Sequence, residues 1–174
     1  MDSVLRDLPL IKSDVISALL ANPDICTILM DRKIVSDSGL VAADPDIDDE
    51  KLVYKNIWPY LYIDDTQTEA QSYICVESAL SGMGSRTIKN IELTIWVQCH
   101  RDIMEYTHKG YLGTRIDILT DMVEQTLREH ISNKRVGIGH FEIRSARHFF
   151  PHNKYYGREL ILTVPEFNVK AGGL

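Results

Sequence analysis

Signatures of catalysis are missing from this 174-residue chain: it has no GxSxG elbow, no HExxH, no phosphate-binding loop and no Cys–His signature. Cysteine is scarce. The three present, Cys26, Cys75 and Cys99, show no CxxC spacing and leave an odd one over, which argues against a disulfide framework and a thiolate metal site. Cys75 and Cys99 fall within predicted strands, where a free thiol behaves as a small hydrophobe, and a reducing compartment is expected. No apolar run approaches the ~18 residues of a membrane span. The opening "MDSVLRDLPL" has early acids and no long apolar core, so it does not read as a signal peptide, and a soluble, cytoplasm-made protein is expected. Positive charge is short as well: 19 Lys and Arg face 25 Asp and Glu, a net charge of −6. Such a chain has no cation surplus with which to displace counterions from nucleic-acid phosphate. An acidic surface is still useful where DNA must slide past without sticking.

The charge is unevenly placed. Residues 1–70 hold fourteen acids and six bases (−8), and residues 71–174 hold eleven and thirteen (+2). The densest acidic stretch is "DPDIDDE", with Asp44, Asp46, Asp48, Asp49 and Glu50. Its first three aspartates imitate a calcium loop, but Asp49 stands where that loop needs glycine and Lys55 where it needs glutamate. A solvated or DNA-repelling loop is the better reading. "VGIGHFEI" contains a GxG, yet it precedes a strand, whereas a dinucleotide fingerprint follows one. His148 and His152 are four apart across a proline, so helical metal spacing does not apply. No cofactor and no metal are expected.

What is present is an ordinary globular composition, 44% hydrophobic and 25% charged, long enough to bury roughly two thirds of its unfolded surface as a single domain over 1–174. "LIKSDVISALLANPD" opens with a helix, capped by Ser13 or Asp14, and Pro23 divides it from a second short helix near 24–31. Residues 34–56 form a long acidic excursion. From 58 the period becomes two: "WPYLYIDD", "QSYICVESAL" and "IKNIELTIWVQCH" read as three strands, the last two a hairpin with a glycine-rich tip. Residues 112–131 give a long helix with Thr114 as cap, Ile116, Leu119, Val123 and Leu127 on one face, and Asp117, Asp121, Glu124 and Arg128 opposite. Two strands follow, 140–150 and 158–167, joined by "PHNKYYG", with a loose tail at 169–174. The order α-β-β-β-α-β-β is that of an α+β layer, an antiparallel sheet with helices packed on one face.

That layout leaves the other sheet face without an obvious cover. On the third strand this face carries Glu92, Thr94, Trp96, Gln98 and His100. Near the last hairpin, Arg144, Arg147, Lys154 and Arg158 gather with Phe149, Phe150, Tyr155 and Tyr156. This mixture can stack on nucleic acid, and it is equally the mixture enriched at protein interfaces; the overall acidity favours the interface.

In element order, and in the pattern of "SYICVESAL", "IELTIWVQCH", "GTRIDILTDMVEQTLREHI", "FEIRSARHFF" and "RELILTVPEF", the chain resembles bacteriophage tail terminator proteins over about residues 10–168. These are also called tail-completion or tail-to-head joining proteins. The resemblance implies a structural virion protein with no enzymatic role. It implies a homohexameric ring that ends the tail tube, joins it to the head connector and passes the viral DNA without sequence-specific binding. On it, Trp96, Gln98 and His100 lie on a face offered to a neighbouring subunit, with Arg147, Phe149, Tyr155 and Tyr156. Gly82, Met83 and Gly84 form a hairpin tip that reaches a neighbour or the tail tube, and the acids at 44–50 keep the channel or rim negative. Trp96→Ala is then expected to weaken assembly and spare the monomer. The alternatives are a packing role for Trp96 under the 34–56 excursion, a head-side connector, stopper or tail-tube subunit, and a small cytoplasmic α+β enzyme or ligand-binding domain.

Overall fold

The computed structural model describes residues 4–30, 52–63, 70–83, 89–108, 110–134 and 142–167. The acidic residues Asp44, Asp46, Asp48, Asp49 and Glu50, and Gly84 of the hairpin tip, lie outside these.

A short 3-10 turn, Val4–Arg6, leads into α1, Asp7–Leu20. The helix therefore begins a turn and a half before Ser13 and Asp14, which lie inside it. Pro9 is tolerated because its missing N–H falls in the first turn, where no intrahelical acceptor exists. Asn22 ends one helix and starts the next. Its side-chain oxygen accepts from the backbone N–H of Asp24 (3.0 Å) and Ile25 (3.3 Å), and Pro23 takes the first helical position of α2, Pro23–Met30. The two axes meet at 81°. No single helix among the described residues is long and apolar enough to cross a membrane.

Five strands form the main sheet in the order β1-β2-β3-β7-β6: β1 Ile57–Trp58, β2 Ser72–Met83, β3 Lys89–His100, β6 Glu142–His152 and β7 Tyr155–Phe167. All pairings are antiparallel except β1 with β2, which is parallel. Of the expected strand at 58–65 only Trp58 belongs to β1 among the described residues 58–63, and the chain after it leaves the sheet edge. The expected joining segment "PHNKYYG" shrinks to a two-residue turn, since His152 already pairs with Tyr155. A small hairpin, β4 Glu105–His108 with β5 Tyr111–Thr114, precedes α3, Arg115–Lys134, and has no counterpart in the sequence reading. Thr114 caps α3 as expected, its hydroxyl oxygen accepting from the Asp117 N–H at 3.3 Å.

The core lies between the helices and one sheet face. Ile91, Leu93, Ile95, Val97 and Cys99 of β3 are fully buried against Ile116, Leu119, Val123 and Leu127 of α3, with Ile11, Val15 and Leu19 of α1 in the same cluster. At roughly 1.5–3 kcal/mol per fully buried large apolar side chain, this layer supplies the main drive to fold. The architecture is α+β, with helices packed on one face of the sheet.

Two buried polar side chains join the elements. Arg115 is 0% exposed, donating from Nε to the Ile103 carbonyl (2.8 Å) and from Nη1 to that of Ile28 (3.0 Å), with its guanidinium over the Tyr106 ring. Asn56 donates to the carbonyls of Ser72 (2.9 Å) and Leu29 (3.3 Å), tying β2 to the end of α2. Neither carried a recognisable signal in the sequence, because a buried Arg or Asn looks like any surface one until its partners are known.

Candidate functional site

The face of the sheet turned away from the helices is built of cross-strand rows. One runs Tyr73, Gln98, Gly157, Phe149; the next runs Cys75, Trp96, Glu159, Arg147; a third runs Glu77, Thr94, Ile161, Ser145. Residues directly opposite each other share a face and interact.

Part of this face is covered by the same chain. After β1 the segment 58–63 folds back over it. Trp58 stacks on Tyr62 (3.9 Å between centroids), Tyr62 meets Tyr73 edge-on, and Tyr73 packs beside Tyr155. The Tyr62 carbonyl accepts from Gln98 Nε2 at 2.8 Å and from the Cys75 thiol at 3.6 Å. Gln98 is 2% exposed, His100 5% and Tyr155 4%. These three residues, expected on a face offered to a neighbour, are instead sealed by their own chain. For Gln98 the cover is the aromatic run Trp58, Tyr60 and Tyr62, whose alternation suggested a strand but which supplies a lid, while His100 and Tyr155 pack on each other with Tyr73 alongside.

His100 has a local task. Its Nδ1 accepts from the Asp102 N–H (3.2 Å) at the start of the 3-10 turn Arg101–Ile103, and its ring meets Tyr155 edge-on at 5.1 Å. Burial holds its pKa below the ordinary 6.5, aided by the Lys154 and Arg101 cations and opposed by the Asp102 carboxylate. Burial likewise raises the thiols of Cys75 and Cys99 to about 11, so both stay protonated and unreactive at neutral pH.

Trp96 sits half-buried beyond the edge of that lid. Its indole packs on Phe149 (4.7 Å), and its Nε1–H donates to the Glu159 carboxylate at 3.0 Å. Glu159 also faces Arg147, 3.5 Å away. Phe149 reaches the indole only because Gly157 lies beneath it: a Cβ there would stand 2.4 Å from the Phe149 ring. Trp96 thus finds partners within its own subunit, across β7, and not under the described part of the 34–56 excursion. Trp96→Ala removes a packing partner from Phe149 inside the monomer.

The remaining site residues separate. Arg147 is exposed on the outer face, and Tyr156 is half-buried on the opposite face, edge-on to Phe150. Gly82 and Met83 close β2, with Met83 exposed. The structure joins Trp96, Phe149, Glu159 and Arg147 into one cluster and leaves Gly82 and Met83 at the far end of the sheet. Glu159 and Gly157 escaped the sequence reading; the alternation of "YYGRELIL" around a glycine was their available signal.

A shallow cleft of about 620 Å³ lies elsewhere, between the α1–α2 corner and α3. Most of its polar lining is engaged: Asn22 with Thr126 (2.8 Å), His130 with Asp14 (3.0 Å), and Ser17 with the Ser13 carbonyl. Among the described residues no group of three His, Cys, Asp or Glu is placed to hold a metal ion.

What the sheet leaves bare is β6. Glu142, Ile143, Arg144, Ala146, Arg147, His148, Phe150 and His152 are all exposed, while Ser145, Phe149 and Pro151 are half-buried, and among the described residues no strand flanks the outer side of β6. Phe150 is 71% exposed. A long unpaired edge with exposed apolar side chains is a ready template for another chain.

A comparison with curated proteins finds no match. A family model, YomW, matches residues 22–164, from the α1–α2 corner through most of β7. The chain belongs to the YomW family, whose name is phage-derived and of the Bacillus prophage type, and is thereby a phage-associated protein.

Proposed function

We propose that this phage-associated chain is a structural protein of a tailed phage or phage-tail-like particle, a subunit of a homomeric ring that ends the tail tube and joins it to the head connector. The observation that carries the reading is β6, an edge strand of eleven residues, most of them exposed, with no strand on its outer side among the described residues. A soluble monomer normally blunts or buries such an edge; here the bulges at Ile143/Ser145 and Phe149/His152, and Pro151, fall toward its two ends and leave 145–149 as a regular open run. A subunit meant to be flanked by copies of itself leaves it open. The partners are then further copies of the chain, six in the closed ring, together with the tail-tube protein and the head-side connector. Viral DNA passes through the ring without sequence-specific contact, consistent with a net charge of −6. The ring works by burial and shape, with no bond made or broken, and its place is the neck of the virion, assembled in the host cytoplasm.

The test is electron microscopy of the purified protein, alone and mixed with tail tubes lacking their head-proximal end. Sixfold annuli that seat on tube ends support the reading. A protein that stays monomeric at high concentration and never decorates a tube end contradicts it.

A further inference from the structure

We propose that successive copies join by strand pairing, β6 of one copy lying alongside residues 79–83 of β2 in the next, so that one sheet continues across subunits. The inference rests on the ring reading and specifies its contact. The two ends of the sheet are the starting point. At one end β6 is uncovered, and the helix layer stops short of it, since α3 packs over β3 and β7. At the other end β1 pairs only with Ile74 and Cys75. Lys12 then hooks across from α1 to the Pro59 carbonyl and the Glu77 carboxylate, which also takes the Ser78 N–H. Past that clasp, Ala79, Ser81 and Met83 are exposed, and among the described residues no strand flanks them.

Charge selects between the two ways of using these edges. β6, residues 142–152, holds Arg144 and Arg147 against a single acid, Glu142. Pairing β6 with β6 of a second copy would set two such basic strands side by side, with like charges opposed. At the β2 end the outer face instead shows Glu77 and Glu92, the latter directly across the small Ala79. An Arg147 laid over that Ala79 from the neighbouring copy reaches toward Glu92, so opposite charges meet. Because the two edges differ, the contact is head-to-tail, the kind that closes into a ring after a fixed rotation.

Apolar surface agrees. Ile143, Ala146, His148 and Phe150 lie exposed on the helix side of β6, and among the described residues no helix packs over them. In a continued sheet the neighbour's α1, which packs over its own β2, comes to lie beside that strip. That helix and the turn ahead of it expose Leu10 and Leu5. Strand addition would supply the main-chain hydrogen bonds, and this strip the apolar burial.

The test is cross-linking. Leu80→Cys and Ala146→Cys place thiols on the two proposed edges, on the same sheet face and directly opposed when Arg147 lies over Ala79, and the native Cys26, Cys75 and Cys99 are all buried. Oxidation of the double variant with copper–phenanthroline under assembling conditions is expected to give a ladder of covalent multimers, and neither single variant a comparable product. Arg147→Glu is expected to weaken assembly roughly tenfold, with Glu92→Arg restoring it and thermal melting of the subunit serving as the folding control. A covalent dimer from Ala146→Cys alone would overturn the proposal in favour of β6–β6 pairing. Rings seen by microscopy without a ladder, or an Arg147→Glu variant that folds and assembles normally, would overturn it and leave the ring reading standing. Neither ladder nor rings, with or without tail tubes, would end both.

Discussion

At the scale of the residue, Gly157 and His100 carry the sharpest expectations. Gly157 is required by packing: the Phe149 ring lies across it to meet Trp96, and a methyl group there would overlap the ring at 2.4 Å. Gly157→Ala is expected to cost about 1–3 kcal/mol in urea unfolding, and combining it with Phe149→Ala should cost less than the sum of the two. Strict additivity would mean that the two side chains do not meet as described. His100 gives a pH dependence whose sign follows from its lowered pKa. Between its depressed folded value and the ordinary 6.5, the unfolded chain binds the extra proton. Its contribution is therefore fully present above about 6.5 and is lost as pH falls through the folded value. Protonation of Nδ1 also removes the acceptor for the Asp102 N–H. His100→Asn keeps an acceptor at that position without the titration, so its melting temperature should vary less with pH below 6.5 than that of the parent chain. Parallel pH profiles would place the acid sensitivity elsewhere.

At the scale of the element, the α1–α2 corner depends on one side chain. Asn22 caps α2 through its oxygen and holds α3 through Thr126 with its nitrogen. Asn22→Ala is expected to lower stability by about 1 kcal/mol or slightly more, whereas Asn22→Asp, which keeps the cap and loses the donor, should lie between the two in denaturant titration. The elements that the sequence made legible are those whose periodicity comes from one buried face. In β3 the alternation of Ile91 through Cys99 is the buried face itself, and in α3 the Ile116, Leu119, Val123, Leu127 spacing is likewise the core stripe. Where burial is two-sided or irregular, pattern misleads. Trp58, Tyr60 and Tyr62 alternate like a strand, yet they serve as a lid whose backbone leaves the sheet edge. The β4–β5 hairpin is only four residues a side, too short for periodicity to separate it from a loop. Gln98 reads as part of an exposed polar face because nothing local announces a cover arriving from Tyr62, 36 positions away, and His100 because its Tyr155 partner lies on another strand.

At the scale of the whole molecule, the outer face first expected to be bare is bare only in part, and the uncovered surface has moved to the sheet's edges. Trp96, the residue that raised the question of a missing cover, is satisfied inside its own subunit by Phe149 and Glu159. Phe150, next to Phe149 along β6, is left outside. The fold class and a phage association were within reach of element order and resemblance. The location of the open surface was not, because it depends on which strand ends the sheet and on where the helix layer stops. Amide hydrogen exchange compared between the lone subunit and the assembled particle tests this most directly. Exchange at residues 145–149 of β6 and 79–83 of β2 is expected to slow by roughly tenfold or more on assembly, while the already protected β3 amides change little. Equally fast exchange along β6 in both states would contradict the claim that this strand is where the copies meet.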